Sequence, residues 1–218
     1  MRINADFTQR AAVHFKDSEW VPSPAAGVER RMLDRIGDEV ARATTIVRFA
    51  PGSAFADHTH DGGEEYLVLE GTFQDQYGDF PTGSYVRNPP TTSHAPAAAD
   101  GAVILVKLHQ FDPEDRTQIK VDMDKAPTQT ERARDGASVQ PLFSDAHEDV
   151  RVETWAPGAT IALTVPSGIE VFVMEGAFTE AGEQFERWDW LRLPPGTELN
   201  AMAGAGGARV WIKSGHLG

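Results

Sequence analysis

Residues 52–71 read "GSAFADHTHDGGEEYLVLEG", and their interpretation decides the fold. The run from Glu65 onward is apolar and β-prone, and "DGG" at 61–63 is a turn signal, so the stretch reads as two strands of a hairpin. Side chains alternate along an extended strand, which places His58 and His60 on one face. Glu64 can rejoin that face through the turn. Two imidazoles and a carboxylate converging on one point are three of the donors a first-row divalent metal takes. A second stretch, "GSYVRNPPTTSH" at 83–94, delivers a third imidazole, His94, just after a Pro-Pro turn.

Working outward, Gly (20) and Pro (14) punctuate short runs rich in Val, Ile, Leu, Phe and Thr, such as "VARATTIVRFAPG" and "AVILVKLHQF". Helical periodicity is scarce apart from a short helix expected before Gly136. Many short strands at this spacing predict an all-β jelly roll or sandwich. The second half repeats the first. "VRFAPG" ending at Gly52 has its counterpart in "ETWAPG" ending at Gly158, "EYLVLEGTF" from Glu65 in "EVFVMEGAF" from Glu170, and "YVRNPP" at 85–90 in "WLRLPP" at 190–195. The offset stays at 105 or 106 residues, which indicates internal duplication. The charged segment 112–136 reads as a linker, giving two β-domains over 1–125 and 126–218.

Composition narrows the chemistry. The chain of 218 residues carries a formal net charge of -13, a poor complement to nucleic acid or an anionic membrane surface. It contains no cysteine, so disulfides, thiolate zinc sites and cysteine nucleophiles are excluded, and any metal must sit on imidazole nitrogen and carboxylate oxygen. "MRINADFTQRAAVHF" lacks an apolar signal core, and no run approaches the ~18 apolar residues of a membrane span. A cytoplasmic protein with no membrane partner is the expectation.

With these residues in place, the sequence resembles the cupin superfamily. The first cupin motif is a glycine, five residues, HxH, three or four residues, a glutamate, six residues and a glycine. Gly52, His58, His60, Glu64 and Gly71 meet it. Gly83, Pro89 and His94 meet the second motif, in which Thr91 replaces the usual glycine and Ala98 the terminal asparagine. The wording over residues 25–112 looks most like the ChrR-type cupins, which include the metal domain of the ChrR anti-sigma factor and small dioxygenase-like proteins. The resemblance implies two tandem cupin jelly-roll barrels. It implies one divalent metal per chain on His58, His60, Glu64 and His94, with zinc expected first and iron, manganese or nickel as alternatives.

Glu65 also satisfies the looser spacing. Aligning the repeats on Gly71 and Gly176 pairs Glu65 with Glu170 and Glu64 with Ile169. The second half has lost the histidines yet keeps this glutamate, so Glu65 is assigned to turn or surface electrostatics and Glu64 to the metal. The positions matching the four ligands are Thr164, Pro166, Ile169 and Leu199, none a good ligand. The second domain is therefore expected to be metal-free with an apolar interior, serving as a packing half, as an intramolecular or intermolecular pairing surface, or as a separate apolar pocket, and a homodimer is expected. "AGAGGA" at 203–208 is expected to be a hairpin turn. His14, His109, His147 and His216 are assigned to structure or surface, and Arg87 receives no role. Tyr66 and Val68 share parity with Glu64 and should line the cavity.

Two functions follow from the resemblance. One is sensory or regulatory, although the helical, cysteine-bearing zinc domain through which ChrR proteins hold a sigma factor has no counterpart in residues 1–24. The other is metal-dependent oxygenation of a small oxygenated organic molecule, in the manner of acetylacetone or dihydroxyacetophenone dioxygenases.

Overall fold

The computed structural model describes residues 1–130 and 134–217. Among them the architecture is all-β, with one short 3-10 turn at Phe15–Asp17 and no helix long and apolar enough to cross a membrane. The chain forms two compact units, one of residues 1–5 and 19–125, the other of residues 6–18 and 126–218.

The first unit is an antiparallel sheet in the order Arg2–Ile3, Val28–Gly37, Ala41–Phe49, Ala102–Leu108, Glu64–Asp75, Ser84–Asn88, Ile119–Asp122. Shorter strands at Ser53–Ala54, Gly78–Pro81 and Ala97–Ala98 extend it. Its inward face carries Val28, Val47, Tyr66, Val68, Val86, Ile104 and Val106, packed with Phe73 and Phe80. The opposite face is buried as well and mixes the apolar Ile46, Leu67 and Leu105 with polar pairs: the Lys107 ammonium donates to the Thr44 hydroxyl at 2.8 Å, and the Tyr85 hydroxyl donates to Glu65 at 2.5 Å.

The second unit repeats this plan in the order Gln129–Thr130, Ala137–Ser144, Asp149–Trp155, Thr197–Ser214, Ile169–Glu180, Trp190–Leu193, Ala11–Val13. Gly71 and Gly176 explain why each long central strand can cross its neighbour. Their φ values are +73° and +72°, and an added Cβ would stand 2.2 Å from the carbonyl oxygens of Gly101 and Gly207. Only glycine fits such an approach.

Three sequence expectations are corrected, and a fourth falls outside the described residues. Residues 6–18 belong with the second unit rather than with 1–125, because Ala11–Val13 pairs with Trp190–Leu193. Side chains fasten this segment: Arg192 lies 4.1 Å over Phe7, Arg10 binds Glu180 and Glu183, and His14 bridges Asp189 and Glu183 at 2.8 Å each. The segment 112–136 is not wholly a linker, since Ile119–Asp122 pairs with Ser84–Asn88 and the Arg87–Asp115 ion pair, at 3.1 Å, fixes its approach. "AGAGGA" is no hairpin turn. It lies within the strand Thr197–Ser214, where the small side chains let one strand pair first with Thr160–Val165 and then with Asp149–Trp155. The expected helix before Gly136 falls on 131–133, outside the described residues.

The interior of the second unit is apolar around Ile169, Val171, Leu191 and Leu199, but it also encloses Glu153, which is fully buried. Arg134, Arg151 and the Trp155 indole donate to that carboxylate at 2.9, 2.7 and 2.8 Å. An all-apolar interior was expected, and this ion pair departs from it.

Substituting the two glycines of the first motif should separate conformation from crowding. Gly52 has φ +80° with nothing near an added Cβ, so Gly52→Ala should cost only the left-handed strain of about 1–2 kcal/mol. Gly71→Ala adds a backbone clash and should cost clearly more in urea unfolding. Equal losses would show that the Gly101 carbonyl gives way freely.

Candidate metal centre

The three histidines meet because of a two-residue ladder. His58–Thr59 pairs antiparallel with Ser93–His94, His58 directly opposite His94. His60 is held next to them, its N–H donating to Thr92 O at 2.9 Å and its carbonyl accepting from Thr91 N at 3.1 Å. Thr91, at the position where the motif favours glycine, takes φ +77°, a conformation costly for a β-branched residue. One ring nitrogen from each of His58, His60 and His94 lies within 4.8 Å of the others. Glu64 opens the strand Glu64–Asp75, with Oε2 3.4 Å from His60 Nε2 and 3.3 Å from His94 Nε2. The structure thus brings together all four residues singled out in the sequence.

Their protons can be placed from their partners. The Thr92 hydroxyl donates to Pro89 O at 2.7 Å, so it must accept from His60 Nδ1 at 2.9 Å. His94 Nδ1 faces the Asp75 carboxylate at 3.4 Å and His58 Nδ1 the Ala56 carbonyl at 3.3 Å. Both partners only accept. Each neutral ring therefore carries its proton on Nδ1 and a bare lone pair on Nε2. His60 Nε2, His94 Nε2 and Glu64 Oε2 are buried without a hydrogen-bond partner among the described residues. Such atoms repel one another unless a cation or a proton stands between them. Three nitrogens and one carboxylate oxygen fit a divalent first-row ion, and three protein-oriented imidazoles suit zinc, iron or nickel.

Burial dominates the acid–base balance. It pushes His60 down to about 3, helped by the neighbouring His94 and His58, and it pushes His94 down too, against the pull of Asp75. Burial drives Glu64 up to about 7, with Asp75 adding to the rise and a hydrogen bond from Asn88 opposing it. The Tyr66 phenol is raised by burial, then by Glu64 and Asp75.

The sequence did not single out the residues that orient the ligands. Thr92 and Asp75 fix two imidazoles, and Gln118 donates to Asn88 Oδ1 at 2.9 Å, turning the Asn88 amide N–H toward Glu64. His109, assigned to structure or surface, takes φ +54° and lies against Gly62, where an added Cβ would be 2.3 Å from its ring. Only parity could have flagged Thr92, two residues before His94. Glu65 lies on the opposite face, as alternation requires, but it is buried against Tyr85 rather than turned to a surface. Tyr66 and Val68 face the interior. In the second unit Thr164 and Pro166 are exposed while Ile169 and Leu199 are buried apolar positions. A cavity of about 300 Å³ opens beside Thr164 and Pro166, where the charged Asp149 and Arg151 stand together with the apolar Leu163 and Val165.

Residues 8–112 match the family model described as "ChrR Cupin-like domain". Solved structures share the fold over nearly the whole chain. A Nostoc punctiforme protein described as a candidate dioxygenase superposes with a TM-score of 0.74 at 15% identity, covering 96% of this chain and 80% of its own. Protein Ylba from E. coli gives 0.70 at 12% identity over 96% and 92% of the two chains, and a variant of oxalate decarboxylase from Bacillus subtilis gives 0.65 at 12% identity over 95% and 77%. No curated protein matches the sequence.

Two outcomes follow from this geometry. Glu64→Gln should weaken metal binding by at least 10–100-fold, roughly the loss that even outer-shell changes produce. Glu65→Gln should lower stability by breaking a buried hydrogen bond while leaving metal affinity nearly unchanged; competition with a chromophoric chelator separates the two, and the reverse pattern would make Glu65 the ligand. Affinity should also fall as pH drops below about 7, because the metal must then displace the raised Glu64 proton, whereas His60 remains unprotonated down to about 3. Glu64→Gln should flatten that slope between pH 7 and 5, and an unchanged slope would assign the competing proton elsewhere.

Proposed function

We propose that this chain, which carries a ChrR cupin-like domain over residues 8–112, holds one divalent metal ion through His58, His60, Glu64 and His94 and acts there on a small oxygenated organic molecule. The observation that carries the reading is the set of bare, buried lone pairs on His60, His94 and Glu64, open on the side of the exposed His58. A divalent ion on three neutral imidazoles and one carboxylate keeps a net charge of about +1 and, when six-coordinate, two positions for an oxygen donor or dioxygen. The protein's own residues prepare that site. Thr92 and Asp75 hold two rings in the tautomer that presents Nε2, Asn88 and Gln118 orient the carboxylate, and the apolar wall of Val68, Val86 and Phe73 excludes water behind it.

Two features favour oxygen chemistry. One is the asymmetry between buried and exposed ligands, which leaves an approach to the centre. The other is the likeness to a protein described as a candidate dioxygenase, which supports the fold and agrees with the chemistry. A second reading, a metal sensor, draws on the ChrR description of the matched family; in it zinc would fill a tetrahedral site and leave no position for substrate.

Elemental analysis of protein purified without added metal should return one divalent ion per chain, and His60→Ala should empty the site. The iron- or manganese-loaded protein should then consume dioxygen with members of a panel of β-dicarbonyl and hydroxyketone compounds. Two ions per chain, or full occupancy in His60→Ala, would overturn the ligand set. Tight zinc with no uptake across the panel for any loaded metal would turn the reading to the sensor.

A further inference from the structure

The strand that begins with Glu64 carries Tyr66 two residues later, on the same inward face. Tyr66 lies opposite Val86 on one neighbouring strand and Val106 on the other. Its ring packs edge-on against Phe73 and Phe80, with centroids 5.1 and 6.1 Å away. The residue is 1% exposed, and its hydroxyl has no hydrogen-bond partner among the described residues. Phenylalanine would fill this place equally well without leaving a buried polar atom unsatisfied, which is a destabilising arrangement. Packing alone therefore does not account for the hydroxyl.

The duplication supplies an internal control. Tyr85, on the opposite face, is also fully buried, but its hydroxyl donates to Glu65 at 2.5 Å. The equivalent residue in the second unit, Trp190, keeps a donor and uses it in the same way, its indole donating to Glu170 at 3.1 Å. The equivalent of Tyr66 is Val171, with no polar atom, in the unit that also lacks every histidine of the cluster. The donor with a protein partner is present in both repeats. At these two positions of the repeat, the donor without one occurs in the first unit and not the second, beside the cluster: Phe73 packs against Tyr66 at 5.1 Å and against His94 at 6.1 Å between ring centroids.

We infer that the Tyr66 hydroxyl is a binding group for the ligand of the metal centre, donating a hydrogen bond to an anionic oxygen of a small carboxylate-bearing molecule. This rests on the metal reading above. The donor set leaves the ion positively charged, so an anionic oxygen is the preferred ligand, and a carboxylate has a second lone pair to accept from Tyr66. A nitrogen ligand such as imidazole could take the same coordination position but brings no oxygen to the phenol.

The test uses the full chain loaded with cobalt(II), whose visible spectrum reports ligand exchange. It is titrated with acetate and, separately, with imidazole in the original protein and in Tyr66→Phe. Acetate should bind roughly tenfold more weakly to Tyr66→Phe, the value of one good hydrogen bond, with imidazole affinity unchanged. The metal-free variant should melt no lower than the original protein, because the lost hydroxyl has no structural partner. Unchanged acetate affinity, or equal losses for acetate and imidazole, would overturn the assignment and leave the metal reading standing. A lower melting temperature for the metal-free variant would overturn it too, by giving the hydroxyl a structural role. Failure of the original protein to take up cobalt would instead overturn the metal reading beneath it.

Discussion

Three lone pairs aimed at one another are the constraint around which the first unit is arranged. Glu64 Oε2 lies 3.4 Å from His60 Nε2 and 3.3 Å from His94 Nε2; all three atoms are buried and have no donor among the described residues. In water each would be solvated; in an apolar barrel the arrangement is costly until a cation enters. Much of the surrounding sequence serves to hold it. The "DGG" turn returns Glu64 to the histidine face, Thr91 accepts a strained φ to close the loop before His94, and Thr92, Asp75 and Asn88 occupy the remaining hydrogen-bonding valences.

The second unit meets the same problem with a different solution. Its interior also encloses a carboxylate, Glu153, but supplies the counter-charge itself through Arg134 and Arg151, with the Trp155 indole completing the set. Glu153 is equivalent to Val47 of the first unit, so the charge has moved to another strand of the barrel rather than persisting at the ligand positions. One barrel is closed by protein cations, and the other presents donors that a bound cation would close. A buried ion pair of this kind contributes little net stability over an apolar filling, yet removing either partner alone would strand a charge.

The grouping of His58, His60, Glu64 and His94 was legible because it follows from period-two alternation and a turn, both of which are local. The duplication was legible because glycines at φ near +70° cannot drift, and Gly71 with Gly176 anchors the repeat alignment. What escaped the sequence is contact between distant segments. Glu65 was read as turn or surface electrostatics because the second repeat keeps it without the histidines; its partner, Tyr85, is twenty positions away and nothing local announces it. The same holds for Glu170 and Trp190. Their retention in both repeats is explained by this buried pairing of carboxylate with aromatic donor, not by solvent electrostatics. The charged stretch 112–136 looked like a linker because its strand, "IKVD", is only four residues long and its anchor, Arg87 to Asp115, again spans a long gap.

The shortness of the histidine ladder has a consequence for order. His58–Thr59 and Ser93–His94 make two residue pairs, less than a stable hairpin needs, and they form a sheet apart from the main one. Backbone pairing alone holds the loop 55–60 to the loop 89–94 weakly. His60 adds two backbone bonds to Thr91 and Thr92, which still leaves His58 attached through its ladder partner and an exposed side chain. A cation shared by His58, His60, His94 and Glu64 would tie both loops to the first residue of the central strand. Metal binding and the order of these loops are then one equilibrium, since the ion is bound only where the four donors converge and the donors converge most firmly around the ion. The barrel, by contrast, is held by its apolar face and its buried Glu65–Tyr85 and Lys107–Thr44 contacts, which do not involve the centre. The fold therefore separates a rigid wall, which carries Glu64 and Tyr66, from a loop pair whose geometry a bound metal would complete.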